Sequence, residues 1–182
     1  MPLEFNGREQ SRYGRLLIIA SVVFILDQLT KLWISQRLPF GTYHHGESIA
    51  LIPDFFYLVH IGNRGAAWGM LEGQGLLLSI AALTALLAIF FFRESLQLYR
   101  PSLQWIFGLI VGGILGNLLD RLVHGYVIDF LDVHFPFSIP FILEDGRYPS
   151  FNIADSGIVI GVFAYLLLSF FEQKPEQADV ES

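Results

Sequence analysis

The sequence predicts an all-α membrane protein with four transmembrane helices, a small extracytoplasmic β-sheet and an interfacial loop or flap. The first observation is composition, because 53% of the 182 residues are apolar and only 15% are charged, whereas soluble domains carry about 25% charged residues. The second is that the apolar residues are collected into four long runs, with aromatic and proline-containing segments between them. This pattern argues against disorder and against an ordinary soluble enzyme.

The four apolar runs cover about 16–34, 76–92, 103–121 and 153–171. A hydrocarbon core about 30 Å thick is crossed by about 20 helical residues, so the runs predict four spans of a single membrane domain that occupies 1–182. The net charge of −6 argues against a nucleic-acid partner, since phosphates require a basic surface. The absence of Cys excludes disulfides, thiolate metal ligands and a cysteine nucleophile.

Glycines recur at four-residue spacing in the last two runs. They are Gly108, Gly112 and Gly116, followed by Gly157 and Gly161. Helices in lipid associate through close backbone approach rather than through a hydrophobic driving force. The spacing therefore predicts that these glycines form helix–helix contact faces.

Two segments outside the runs have patterns of their own. The outer β region, 44–70, contains the stretches 49–52 and 55–61, which are rich in β-branched and aromatic residues and predict a short antiparallel sheet. The outer loop, 126–152, is apolar but is interrupted by prolines and a turn sequence. It is interpreted as an interfacial loop or flap.

An even number of spans places both termini on one side of the membrane. Arg8, Arg12 and Arg15 precede the first span, so the positive-inside rule predicts cytoplasmic termini. The polar residues of the spans then converge at the outer face, and they are Asp27, Lys31, Asn117, Asp120, Arg121, Asn152 and Asp155. Because an ionisable group at membrane depth costs about 2.5–3.5 kcal/mol on insertion scales, this convergence predicts a functional site.

Two carboxylates that bracket the outer loop are the strongest catalytic candidates. Asp129 follows the third span and Asp155 opens the fourth, and neither has a basic residue beside it in the sequence. Two carboxylates in a dry site share one proton, so one can activate a water while the other protonates a scissile carbonyl oxygen. The helix dipole favours the anion of Asp155. By contrast, Asp120 and His124 are explained by a polar cluster that ends the third span, with Asp120 paired to a basic residue.

Three alternative functions stay open at this point. A metal-dependent membrane hydrolase would use ligands from a short stretch that contains His124, Asp129, Asp132 and His134, although no His-Glu-x-x-His helix is present. A Ser/Lys hydrolase would place Lys31 beside Ser35, Ser48 or Ser156, but the sequence has no Gly-x-Ser-x-Gly turn. A proton-coupled transporter would need polar groups near the midplane, where the runs carry few.

Five short motifs, in order along the chain, resemble those of the bacterial lipoprotein signal peptidases, the type II signal peptidases. They are DQLTK at 27–31, NRGAAWG at 63–69, GNLLDR at 116–121, VIDF at 127–130 and FNIADS at 151–156. The resemblance implies a membrane aspartyl endopeptidase that removes the signal peptide from diacylglyceryl-modified prolipoproteins, cleaving just before the lipidated Cys. It also implies a location in the bacterial cytoplasmic (inner) membrane, with the active site at the outer face. A monomer is expected. Neither a metal nor a cofactor is expected, whereas membrane lipid and globomycin-type inhibitors are expected to bind.

The same resemblance assigns roles to residues of this chain. The catalytic pair would be Asp129 and Asp155. The substrate-binding residues would be Asn63, Gly65, Asn117, Arg121 and Asn152, with Asp27, Lys31 and Asp120 as supporting residues. The chain departs from the family pattern at Trp68, where Phe is commoner, and in the long stretch 132–151.

Overall fold

The computed structural model describes residues 12–42, 47–66, 70–140, 143 and 146–172. Their helices and strands are, in chain order, α1 Gly14–Arg37, β1 Ile49–Ile52, β2 Phe56–Asn63, α2 Gly75–Phe91, α3 Pro101–His124, β3 Val127–Val133 and α4 Ile153–Glu172. Parts of the expected β region, 44–46 and 67–69 with Trp68, lie outside the described residues, as do 141–142 and 144–145 of the outer loop.

Helix α3 is the centre of the bundle and packs against α1, α2 and α4. Glycines allow the close approach, because a Cβ on Gly112 would lie 2.6 Å from the backbone oxygen of Ala20 in α1. Likewise, a Cβ on Gly157 would lie 3.1 Å from the backbone oxygen of Leu109 in α3. The other glycines of the two series also face a neighbouring helix, namely Gly108, Gly116 and Gly161. The predicted contact faces are therefore confirmed.

Three of the described helices are long and apolar enough to cross a membrane. They are α1 and α3, with 24 residues each, and α4, with 20. Helix α2 is apolar but shorter, with 17 residues, which at 1.5 Å per residue gives about 26 Å, close to the hydrocarbon thickness. No side chain of α2 is buried in the protein, so its apolar surface needs an apolar environment outside the chain. A fourth crossing by α2 stays a prediction.

The sheet has three antiparallel strands in the order β1-β2-β3. The pairing of β1 with β2 confirms the expected short antiparallel sheet. The interpretation of the whole segment 126–152 as a loop or flap is wrong for its first part, because Val127–Val133 is the third strand and places Asp129 opposite Ile61 of β2. The two strands are separated in the chain by α2 and α3, and a local pattern does not reveal pairing over that distance.

The second part of the outer loop returns along β3 before α4 begins. The N–H of Phe151 donates to the oxygen of Leu131 with an N to O distance of 3.0 Å, and the N–H of Leu131 donates to the oxygen of Phe151 at 2.9 Å. The N–H of Tyr148 donates to the oxygen of Val133 at 3.0 Å. These bonds fix the chain immediately before Asn152. The sheet and the start of α4 are therefore held as one unit at this end of the bundle.

Candidate active site

A buried ion cluster at one end of the bundle joins α1 to α3. The ammonium of Lys31 lies 2.8 Å from a carboxylate oxygen of Asp27 and 2.9 Å from one of Asp120. The amide of Gln28 donates to the same two carboxylates, at 3.1 Å each. All three charged side chains are at most 2% exposed. Asp120 is thus paired with a basic residue, as the polar-cluster explanation predicts.

The two acids of the cluster also hold the chain beside the catalytic candidates. Asp27 accepts the backbone N–H of Ala154 at 3.0 Å, and Asp120 accepts the backbone N–H of Ile128 at 3.0 Å. Ala154 directly precedes Asp155, and Ile128 directly precedes Asp129. A buried carboxylate therefore accepts the backbone N–H of the residue that precedes each candidate.

Asp129 is buried in β3 and accepts two amide hydrogen bonds. Asn152 donates to its Oδ1 at 2.8 Å, and Asn63 donates to its Oδ2 at 2.9 Å. Burial, followed by the negative charge of Asp155, raises the pKa of Asp129 to about 7, although both hydrogen bonds act in the opposite direction. Close to neutral pH, this carboxyl group therefore carries a proton for a large part of the time.

Asp155 is fixed by the way α4 begins. Asn152 precedes the first helical residue, Ile153, and its side-chain oxygen accepts the backbone N–H of Asp155 at 2.9 Å. In return, Asp155 Oδ2 accepts the backbone N–H of Asn152 at 3.3 Å. This is the reciprocal arrangement of a capping box, with Asp in the place of the usual Glu or Gln. A local helix-start motif thus fixes one catalytic candidate.

Asn117 and Asn152 connect the ion cluster to both catalytic candidates. Asn117 Oδ1 accepts hydrogen bonds from Lys31 Nζ and from Asn152 Nδ2, each at 3.1 Å. Because its oxygen is held in this way, the Asn117 amide directs its Nδ2 to Asp155 Oδ1, at 2.7 Å. Within the described part of the chain, no buried side-chain nitrogen or oxygen lacks a hydrogen-bond partner. The polar groups therefore form one satisfied network.

A cavity of about 720 Å³ lies beside this network. Its polar side includes Asn63, Asn117, Arg121 and Asp155. Its apolar lining comes from three helices and includes Ala82, Ile114, Ile158, Val159 and Ile160. Asp155 lines the cavity, whereas Asp129 is 2% exposed and is not among the lining residues. The cavity can therefore take a ligand that has both a polar and an apolar part.

Arg121 lies at the polar side of the cavity and is positioned by backbone oxygens. Its Nη2 donates to the oxygen of Gly65 at 3.1 Å, and its Nη1 donates to the oxygen of Asn117 at 3.4 Å. The N–H of Gly65 in turn donates to Asn63 Oδ1 at 2.9 Å. Every residue that the sequence assigned to the site is thereby connected in space.

The alternative hydrolase sites find no support in the structure. Among the described residues, no group of three His, Cys, Asp or Glu side chains could hold a metal ion. Asp132 and His134 bond to each other rather than to Asp129, and His124 is exposed. Lys31 is bound by acids and an amide, and Ser156 donates to the backbone oxygen of Asn152.

Two residues of this region have bonding partners that the sequence reasoning did not predict. Gln28 bridges Asp27 and Asp120, and its position within the motif at 27–31 was the available signal. Asp132 is buried and accepts hydrogen bonds from Arg147 and Ser150. No local pattern indicates that partnership, because Arg147 and Ser150 return to Asp132 only after the outer loop has folded back.

The comparisons with known proteins identify the family. A family model described as "Signal peptidase (SPase) II" matches residues 19–171. The chain belongs to this family. It is 36% identical over 169 residues to the lipoprotein signal peptidase of Shewanella sp. (strain MR-4), covering 90% of each chain. It is 39% identical over 170 residues to that of Oleidesulfovibrio alaskensis, covering 90% of this chain and 98% of the relative.

Two solved bacterial membrane enzymes share the fold. One superposes with a TM-score of 0.76 at 31% identity, and the alignment covers 92% of this chain and 95% of the other. The second gives a TM-score of 0.70 at 32% identity with the same coverage. Together with the long apolar helices, these matches show a membrane protein. Membership of the signal peptidase II family makes it a peptidase.

Proposed function

We propose that the chain is a membrane aspartyl endopeptidase that removes the signal peptide from diacylglyceryl-modified prolipoproteins, just before the lipidated Cys. The observation that carries the proposal is that Asn152 bonds to both Asp129 and Asp155, and that Asp155 lines a partly apolar cavity. The relatives named lipoprotein signal peptidase support the substrate class.

The two carboxylates have environments suited to different roles. Asp155 lines the cavity and lies at a helix N-terminus, whose dipole acts in favour of the anion and against the effect of burial. In the proposed reaction it takes a proton from a water molecule, whose oxygen attacks the scissile carbonyl carbon. Asp129, buried and with a raised pKa, gives its proton to the carbonyl oxygen. When the C–N bond breaks, Asp155 passes its proton to the leaving nitrogen and Asp129 recovers a proton from the diol intermediate.

The cavity lining matches the two parts of such a substrate. The aliphatic lining formed by Ile114, Ile158 and Val159 suits acyl chains or the apolar signal helix. The amide and guanidinium groups at the other side offer donors to peptide carbonyls. We assign this binding role to Asn63, Gly65, Asn117 and Arg121, which line the cavity, and to Asn152, which acts through its bonds to Asn117 and Asp129. Asp27, Lys31 and Asp120 are assigned a supporting role.

We further propose a single membrane domain in the bacterial inner membrane, monomeric, with cytoplasmic termini and the active site at the outer face. In support, the sheet and the ion cluster lie at one end of the helices. At the other end, Arg12 pairs with Glu94 and Arg100 pairs with Glu172, which fits the positive-inside rule. Because the chain has no Cys, single Ser48→Cys and Ser102→Cys variants test this topology. A membrane-impermeant maleimide applied outside should label only Ser48→Cys, and labelling of only Ser102→Cys would reverse the orientation.

Cleavage by the purified protein tests the function. We expect a diacylglyceryl prolipoprotein peptide to be cut before its lipidated Cys, and the same peptide without lipid to be cut poorly. Asp129→Asn and Asp155→Asn should each lower the rate about 10³-fold or more, whereas Asp54→Asn, an exposed acid of the same sheet region, should not. Full activity in either of the first two variants would contradict the catalytic pair.

Two additions separate the remaining alternatives. Inhibition by a metal chelator would favour a metal-dependent hydrolase. Cleavage of the peptide by protein in detergent, where no proton gradient exists, would be unexpected of a proton-coupled transporter. A globomycin-type inhibitor is expected to compete with the peptide for the cavity.

A further inference from the structure

A second polar cluster lies on the far side of β3 from Asp129. Asp132 is buried, and Arg147 donates to both of its oxygens, from Nε at 3.0 Å and from Nη2 at 2.6 Å. His134 Nε2 lies 2.8 Å from Asp132 Oδ2, and Ser150 Oγ donates to Oδ1 at 3.1 Å. We call these four residues the Asp132 cluster. It shares no side-chain hydrogen bond with the catalytic candidates among the described contacts.

The Asp132 cluster forms a stable ionic anchor. Burial alone would raise the pKa of Asp132, but the hydrogen bonds and charges of Arg147 and His134 outweigh burial and lower it. The bidentate Arg–carboxylate geometry is directional as well as strong. The side chain of Arg147 is 22% exposed and that of Asp132 is 1% exposed, so the pair is largely shielded from solvent.

The anchored segment forms one wall of the cavity. Tyr148, Pro149, Ser150 and Phe151 all line it. The wall is held at one end by Arg147 and at the other by the backbone bonds between Phe151 and Leu131. Ser150 belongs both to the cluster and to the wall. The next residue is Asn152, which bonds to both catalytic candidates.

We propose that Asp132 is a positioning residue that holds the wall 148–151 in place, and that this wall limits the size of the substrate side chain next to the scissile bond. The inference rests on the proposed function. The reacting carbonyl must approach Asp155, and one peptide residue spans at most about 3.8 Å between Cα atoms. Ser150 and Phe151 line the same cavity as Asp155, so a side chain that flanks the scissile bond lies within reach of the wall.

Selectivity between two lipidated peptides tests this inference. They differ only in the residue before the lipidated Cys, Ala in one and Leu in the other. Asp132→Asn removes the anion but keeps the shape, so the wall should loosen. If the wall limits side-chain size, the unsubstituted chain should prefer the Ala peptide in kcat/KM. We expect Asp132→Asn to reduce that preference about tenfold, through KM for the Leu peptide, while kcat for the Ala peptide stays within about twofold.

Matched variants separate positioning from general damage. Asp54→Asn is the same substitution on an exposed acid outside the cavity lining, and it should leave the preference unchanged. Arg147→Met should lower the preference as Asp132→Asn does, and the double variant should lower it no further, since both substitutions break the same contact between Arg147 and Asp132. If Asp132→Asn lowers the activity on both peptides equally and also lowers the unfolding temperature, the cluster has only a structural role. That result would overturn the proposal.

A probe that needs no activity keeps this test distinct from that of the proposed function. Since the chain lacks Cys, Tyr148→Cys accepts a single spin label on the wall, at a position that is 37% exposed. Asp132→Asn should make this label more mobile, and Asp54→Asn should not. If the unsubstituted chain cleaves neither peptide, the proposed function fails, and an increase in mobility still supports the positioning role. Unchanged mobility would overturn it whatever the cleavage result.

Discussion

Asp120 accepts the backbone N–H of Ile128 at 3.0 Å, one residue before Asp129. Asp27 makes the corresponding bond one residue before Asp155. Lys31 lies between the two acids and is bonded to both. One buried cation therefore holds the two carboxylates that set the backbone on either side of the candidate catalytic pair.

The first prediction concerns Lys31. Lys31→Met would leave Asp27 and Asp120 buried without a cation, and losing one partner of a buried charge pair costs about 3–5 kcal/mol. We expect a large drop in the unfolding temperature in detergent and loss of cleavage. Arg37→Met, the loss of an exposed basic residue in the last turn of the same helix, is the control. Similar stability in the two variants would show that the ion cluster is dispensable.

The second prediction separates two roles of Asn152. Asn152→Ala removes the N-cap and the amide that donates to Asp129 and Asn117. We expect the loss of the cap to lower stability by about 1 kcal/mol and the loss of the amide to lower the rate about 100-fold. Asn152→Ser restores a cap acceptor but cannot donate to Asp129 from an amide. Its stability should therefore return while its rate stays low. Recovery of rate together with stability would mean that Asn152 acts only as a cap.

The third prediction concerns pH. Burial and the charge of Asp155 raise the pKa of Asp129 to about 7, and the proposed reaction needs Asp129 in its protonated form. As pH rises through that value the proton is lost, so kcat/KM should fall about tenfold per pH unit above it. Circular dichroism at each pH controls for unfolding. If kcat/KM instead rises as pH increases through about 7 and then stays high, Asp129 acts as the base. The roles of Asp129 and Asp155 would then be reversed.

The fourth prediction concerns the helix contact at Gly112. A Cβ there would lie 2.6 Å from the backbone oxygen of Ala20, so α1 and α3 must move apart in Gly112→Ala. We expect a loss of about 1–3 kcal/mol in stability, as for other overpacked sites. Gly14→Ala is the matched control, because no heavy atom lies within 4 Å of its added Cβ. Unchanged stability in Gly112→Ala would show that the two helices can separate at little cost.

The apolar runs, the glycine faces and the local strand pattern of β1 and β2 could all be predicted from the sequence. These features depend on residues that are near each other in the chain, and hydrophobicity, spacing and side-chain type determine them directly. The capping relationship of Asn152 and Asp155 is of this kind too, since the two residues occupy a local helix-start motif.

The tertiary structure alone decided which polar groups bond to which. The sequence predicted that Asp129 and Asp155 lie at one end of the bundle. It did not predict that Asn152 and Asn63 donate to Asp129, or that Lys31 donates to Asn117. Nor did it show that β3 pairs with β2 and that the outer loop returns to Asp132. The physical reason is that these contacts join distant parts of the chain. Their geometry is set by how the helices and the sheet pack, because every buried donor and acceptor must find a partner there.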